Sequence, residues 1–197
     1  MLKLSTLLTA LLLITGCATT SEPTASDPGT RQIHRNAVLH EGPELVAAVT
    51  YLQGKNSVAE ERLILGVELT SPRGSGPNVV SRSDISIRTP VGRRLALISQ
   101  DEFRRSFARM RIPVERTLDF LPLLYRYLPT RLPCDRWYLV SPPENIAFDE
   151  IPINSSQTCS GPLVFSVPGG VQPGRWRLVV ELEESRADIP FIIEIED

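Results

Sequence analysis

From Glu44 onward, apolar and polar residues alternate with a period of two, the pattern of strands that bury one face. In ELVAAVTYLQ (44–53), Leu45, Ala47, Val49 and Tyr51 share a face. In RLILGVELT (62–70), Leu63, Leu65, Val67 and Leu69 do so, which leaves Arg62, Glu68 and Thr70 facing out. ISIR and RRLALIS flank Thr89-Pro90-Val91-Gly92, whose composition reads as a hairpin turn. The alternation returns in PLVFSV (162–167), RWRLVVELEE (175–184) and PFIIEIE (190–196). There Trp176, Leu178, Val180 and Leu182 point one way, with Phe191, Ile193 and Ile195 as their expected core partners.

A helical period interrupts this pattern once. Ser99-Gln100-Asp101-Glu102 has capping-box spacing, and Phe103, Phe107 and Met110 recur at i, i+4 and i+7. The expectation is one short helix near 100–111, ended by the steric restriction that Pro113 places on the residue before it. Prolines at 113, 122, 129, 133, 142 and 143 confine any strands in that stretch to short or edge positions, with VERTLDF and RWYLV as the best candidates. Eight or nine strands and one helix predict a mainly β chain folded as two packed antiparallel sheets. The segment from Pro168 to Val180, PGGVQPGRWRLVV, resembles the turn and strand near the end of immunoglobulin-like sandwich domains, with Trp176 in place of the usual tyrosine.

The N-terminus reads differently. MLKLSTLLTALLLITGC carries one lysine, an apolar run from Leu7 to Ile14, then small residues, and is too short for a membrane span of about 20 residues. Its end, Ile14-Thr15-Gly16-Cys17, resembles the lipobox of bacterial lipoproteins. The resemblance implies that residues 1–16 are a signal peptide, that Cys17 becomes the acylated N-terminus, and that its lipid chains hold the protein on a bilayer at roughly 0.8 kcal/mol per buried CH₂. Ala18 follows the cysteine; with no aspartate there, the same family implies the outer membrane, facing the periplasm. From Cys17 to Pro43 the chain is rich in Ser, Thr, Pro and Gly without apolar periodicity, so 17–43 reads as a flexible tether and 44–197 as a single sandwich domain.

Composition narrows the chemistry. The net charge of −2 becomes −3 once Lys3 leaves with the signal, which gives no nucleic-acid signature. The two histidines, His34 and His40, lie in or beside the tether rather than on a rigid support, which argues against histidine-dependent hydrolases. CxxC, HExxH, GxxxxGK and GxGxxG are absent, so no metal or cofactor is expected. Carboxylate catalysis needs no histidine; Asp149 and Glu150, in a proline-bounded loop, are its candidates, and a glycan or peptidoglycan its substrate. Glu181 and Glu183 share a strand face and read as solvated.

Two features suit binding. Residues 82–116 hold nine arginines against four acids, and Arg104, Arg105 and Arg109 fall off the apolar helical stripe, so they read as an exposed basic face that either meets an anionic partner or is merely solvated. Tyr125, Tyr127, Trp137 and Tyr138 crowd the proline-rich stretch. Trp137 reads as core and Tyr138, on the opposite face, as the surface candidate, with a small-ligand pocket among the tyrosines as a further possibility.

The lipobox accounts for one of three cysteines. Cys134 and Cys159 are then expected to form a disulfide in an oxidising envelope. Taken together, these features lead to a lipid-anchored outer-membrane protein whose periplasmic domain binds or scaffolds an envelope protein or cell-wall partner. The alternatives are a carboxylate-dependent enzyme and a small-ligand carrier or inhibitor.

Overall fold

A computed structural model describes residues 28–57, 60–144 and 146–194. The signal segment 1–16, Cys17 and Ile195 lie outside the described residues. Among the described residues the chain forms β1 (Thr30–His34), β2 (Ala37–Glu41), β3 (Val46–Thr50), β4 (Arg62–Thr70), β5 (Asn78–Ser81), β6 (Ile85–Arg88), β7 (Arg94–Ala96), α1 (Gln100–Phe120), β8 (Glu150–Ile153), β9 (Cys159–Ser166), β10 (Gly174–Glu181) and β11 (Arg186–Ile193). The strands make three antiparallel sheets: β1-β2-β3-β4-β9, β11-β10-β6-β7, and the pair β5-β8. The protein is thus mainly β with one α-helix among these residues, and three sheets stand where two were expected.

Alternation locates the core correctly. Trp176 faces Phe191 and Leu178 faces Ile189 across β10 and β11, and these residues share one contiguous buried cluster with Leu45, Val49, Leu65 and Val67 of the five-stranded sheet. Tyr51 stacks on Phe191 at 5.2 Å between ring centroids, which joins the two larger sheets. The turn between β6 and β7 closes as its residues predict: the Gly92 amide donates to the Thr89 carbonyl at 2.9 Å, and Gly92 takes a φ of +83°.

The other face of the five-stranded sheet departs from expectation. Val46, Ala48 and Thr50 are buried, as are Glu68 and Thr70, which alternation had pointed to solvent. What covers them is α1 and the short 3₁₀ turns that follow it, whose Leu121, Leu124 and Leu128 form a second apolar cluster with Leu39 and Ala48. The helix is therefore far longer than the 100–111 expected, with Pro113 inside it, and VERTLDF is helical rather than a strand. An interior proline costs about 3 kcal/mol, whereas each fully buried aliphatic side chain contributes about 1.5–3 kcal/mol. Beyond the proline, Val114 and Leu121 are buried, so burial outweighs the local penalty. The Thr117 hydroxyl also donates to the Pro113 carbonyl at 2.8 Å.

The expected tether is also revised. β1 and β2 lie within 17–43 and extend the five-stranded sheet, because Ala37, Val38 and Leu39 are short on pattern but fully buried. RWYLV forms no strand; only Pro133 makes an isolated parallel bridge, to Thr158.

The helix packs closely over Gly66 in β4. A Cβ there would meet Thr117 Cγ2 and Thr50 Cγ2 at 2.7 Å and Leu121 Cδ2 at 3.0 Å. Gly66→Ala is expected to lower stability by about 1–3 kcal/mol through overpacking, read as a lower urea midpoint with an unchanged slope. An unchanged midpoint would mean that the helix adjusts freely.

Candidate binding groove

The start of α1 is fixed from three directions. Ser99 Oγ accepts from the Glu102 amide at 3.2 Å, the cap expected from sequence. Arg62 at the start of β4 reaches Glu102 Oε1 at 3.0 Å through one terminal nitrogen and Ser166 Oγ at 2.8 Å through the other. Gln100 bridges to the neighbouring loop, donating to the Val140 carbonyl at 2.8 Å and accepting from the Val140 amide at 3.1 Å. The first turns of the helix are thereby held against both β4 and the segment that follows Cys134.

Between the turn that precedes β4 and the middle of α1 runs a groove of about 610 Å³. One wall carries Gln53, Asn56, Glu60 and Glu61, and the helix wall carries Ser106, Arg109, Ile112 and Arg116. Ile64 and Met110, both buried, supply an apolar floor beside Arg62. Arg109 and Arg116 are exposed, and neither has an ion pair or hydrogen-bonded side-chain partner among the described residues; the same holds for the Glu60 and Glu61 carboxylates. Ile112, at 56% exposure, stands between the two arginines on the helix surface. In size the groove falls within the range of ligand sites.

The predicted site residues divide. Arg109 lines the groove; Arg105 is exposed outside its lining; Arg104 turns to the other side of the helix and donates to the Glu144 carbonyl at 3.2 Å. Tyr138, expected at the surface, is 0% exposed. Its hydroxyl donates to the Val80 carbonyl at 2.7 Å, and burial pushes the phenol well above its ordinary value. Alternation failed here because the segment is not a strand: Trp137, Tyr138 and Leu139 are consecutive and all buried. Tyr125 and Tyr127 pack instead on the second apolar cluster, so the tyrosines do not converge on one pocket.

Asp149 has an 88% exposed side chain and pairs with Arg82 at 2.9 Å. Glu150 is exposed at the start of β8. The Arg82 side chain also donates to the Ile98 carbonyl at 2.8 Å and the Tyr138 carbonyl at 2.6 Å, while its amide donates to the Asp149 carbonyl at 2.7 Å. Arg82 therefore ties three segments together. In the sequence it is one of nine arginines between residues 82 and 116, and nothing in its local context marks it out.

The expected disulfide is present between Cys134 and Cys159, with Cα atoms 4.8 Å apart. Beside it Trp137 Nε1 donates to the Pro162 carbonyl at 2.8 Å, and the indole lies flush against Gly161, where a Cβ would clash with the ring. A second, more open hollow of about 560 Å³ adjoins the disulfide, bordered by Arg136, Ile146 and Phe148, with the Arg136 guanidinium 5.2 Å from the Phe148 ring centroid. Among the described residues, no group of three or more His, Cys, Asp or Glu side chains is placed to hold a metal ion, and no helix is long and apolar enough to cross a membrane. The chain matches no protein-family model, no curated protein and no solved structure.

Proposed function

We propose that this protein is an acylated envelope protein, anchored through Cys17 to the outer membrane and facing the periplasm, whose β domain binds another envelope component at the α1 groove. The observation that carries the binding reading is the pair Arg109 and Arg116, exposed on the wall of a groove and without partners among the described residues. Long charged side chains left unpaired beside an exposed isoleucine and an apolar floor favour a binding surface over a merely solvated face. The anchor rests on Ile14-Thr15-Gly16-Cys17. We further read the two larger sheets as an immunoglobulin-like sandwich, on the support of the cluster that Trp176 and Phe191 share with Leu65 and Val67. The carboxylate-enzyme reading has less support, since neither Asp149 nor Glu150 lines the groove.

Two measurements in cells test this. Wild-type protein should sediment with membranes and Cys17→Ala should not; a Cys17→Ala protein that still sediments would remove the acyl anchor. A photo-crosslinking amino acid at Ile112 should capture a discrete envelope partner, and Arg109→Glu with Arg116→Glu should abolish that capture. No capture from Ile112 would place the binding surface elsewhere, and capture that survives both reversals would remove the arginines from it.

A further inference from the structure

Resting on that reading of the groove, we infer that its ligand is a short, mixed-charge peptide segment of a protein partner, carrying acidic and basic side chains within a few residues of each other. The argument is one of complementarity. The helix wall presents Arg109 and Arg116, which call for carboxylates, and the facing wall presents Glu60 and Glu61, which call for ammonium or guanidinium groups. A polyanion meets repulsion from the two glutamates, and a polycation meets it from the arginines. A neutral apolar ligand would strip four charged groups of water without pairing them.

Peptide backbone is favoured over other amphoteric ligands by the polar groups deeper in the groove. Gln53 is only 4% exposed and lines the groove. Its Oε1 accepts from Asn56 Nδ2 at 3.4 Å, whereas its own amide nitrogen has no acceptor among the described residues. An amide donor on the groove wall with no acceptor among the described residues suits a carbonyl oxygen. Arg62, at the floor, likewise has a buried Nε without a partner among the described residues. Ile64 and Met110 then offer an apolar strip to the aliphatic stems of lysine, arginine or glutamate.

The test uses the full-length protein in detergent and three capped tetrapeptides, Glu-Lys-Glu-Lys, Glu-Glu-Glu-Glu and Lys-Lys-Lys-Lys, titrated calorimetrically at low salt. The mixed peptide should bind saturably, and each single-charge peptide about tenfold more weakly or not at all. Removing either pair of charges, by Arg109→Ala with Arg116→Ala or by Glu60→Ala with Glu61→Ala, should weaken the mixed peptide by about tenfold, the effect of one lost charge-assisted contact. All four side chains are exposed, so the variants should keep the wild-type circular dichroism spectrum. Tetraglutamate binding as tightly as the mixed peptide would overturn the inference in favour of a polyanion site. Absence of saturable binding, or binding indifferent to both pairs of substitutions, would also overturn it. If Ile112 captures an envelope partner in cells while the tetrapeptides fail, the ligand class is wrong and the binding function stands; peptide binding by a protein that captures nothing in cells has the reverse meaning.

Discussion

The stability that Glu68→Leu gains over wild type should be larger at about pH 9 than at about pH 4 by as much as roughly 5 kcal/mol. Glu68 lies in the middle of β4, 0% exposed, with Ala48 opposite it on β3 and Ser160 opposite it on β9. Neither carboxyl oxygen has a hydrogen-bond partner. Burial pushes the group up from its ordinary 4.5 to about 8. Between those values the folded protein keeps the proton while the unfolded chain has lost it, so folding must take up a proton and stability falls as pH rises. Above about 8 both states are ionised and the slope vanishes; below 4.5 both are neutral and nothing is lost. The interval corresponds to the roughly 5 kcal/mol given above, an upper figure because local opening of the covering helix can hydrate the carboxylate first.

His40 acts in the opposite sense. Burial lowers its imidazole below the ordinary 6.5 against the raising influence of Asp188 and Glu41, so its contribution is lost as pH falls. Comparing wild type with Glu68→Leu at each pH cancels it, since both proteins carry His40. Urea midpoints across the range decide the matter: a wild-type minus variant difference that does not change with pH would mean that Glu68 is hydrated or paired in the folded protein.

The residue also shows why half of this fold was legible and half was not. Period two identifies a strand and separates its faces, and in β10 and β11 one face is dry while the other carries Arg175, Arg177, Glu181, Arg186 and Asp188, so alternation places Trp176 and Phe191 correctly. On β4 the same rule assigned Glu68 to solvent, because a charged residue at an alternate position reads as outward whatever lies beyond it. The second layer did leave traces. VAAVT (46–50) has no polar residue at 46 or 48, and Gly66 in mid-strand marks a close approach of another element. The proline at 113 hid the covering helix, since local sterics predicted a stop and only tertiary burial shows why the helix continues. The groove was half legible for a related reason. Arg109 could be read from helical spacing, but Gln53, Glu60 and Glu61 join it only once the turn before β4 packs beside the helix.

Replacing both Cys134 and Cys159 by alanine should lower stability by about 3–4 kcal/mol while leaving the folded structure in place. The bond spans 25 positions, and the chain-entropy account attributes that much to the restricted denatured state. A loop so rich in proline and polar residues invites the view that the disulfide alone orders it, but the native contacts say otherwise. Next to the bond, the Cys134 amide donates to the Thr158 carbonyl at 2.9 Å and the Thr158 amide to the Leu132 carbonyl at 2.8 Å. Farther along, Trp137 is bonded to Pro162, Tyr138 to Val80, Val140 to Gln100, and the Tyr138 carbonyl to Arg82. These links engage β9, β5 and α1, none of which depends on the sulfur bridge for its own pairing. The double variant should therefore keep the near-ultraviolet signal of Trp137 and Tyr138 at low temperature and unfold at a lower urea concentration. It should also show a steeper denaturant dependence, because its unfolded chain exposes more surface. Loss of the near-ultraviolet signal under native conditions would instead assign the disulfide a direct role in holding the loop, and an unchanged midpoint would remove its contribution altogether.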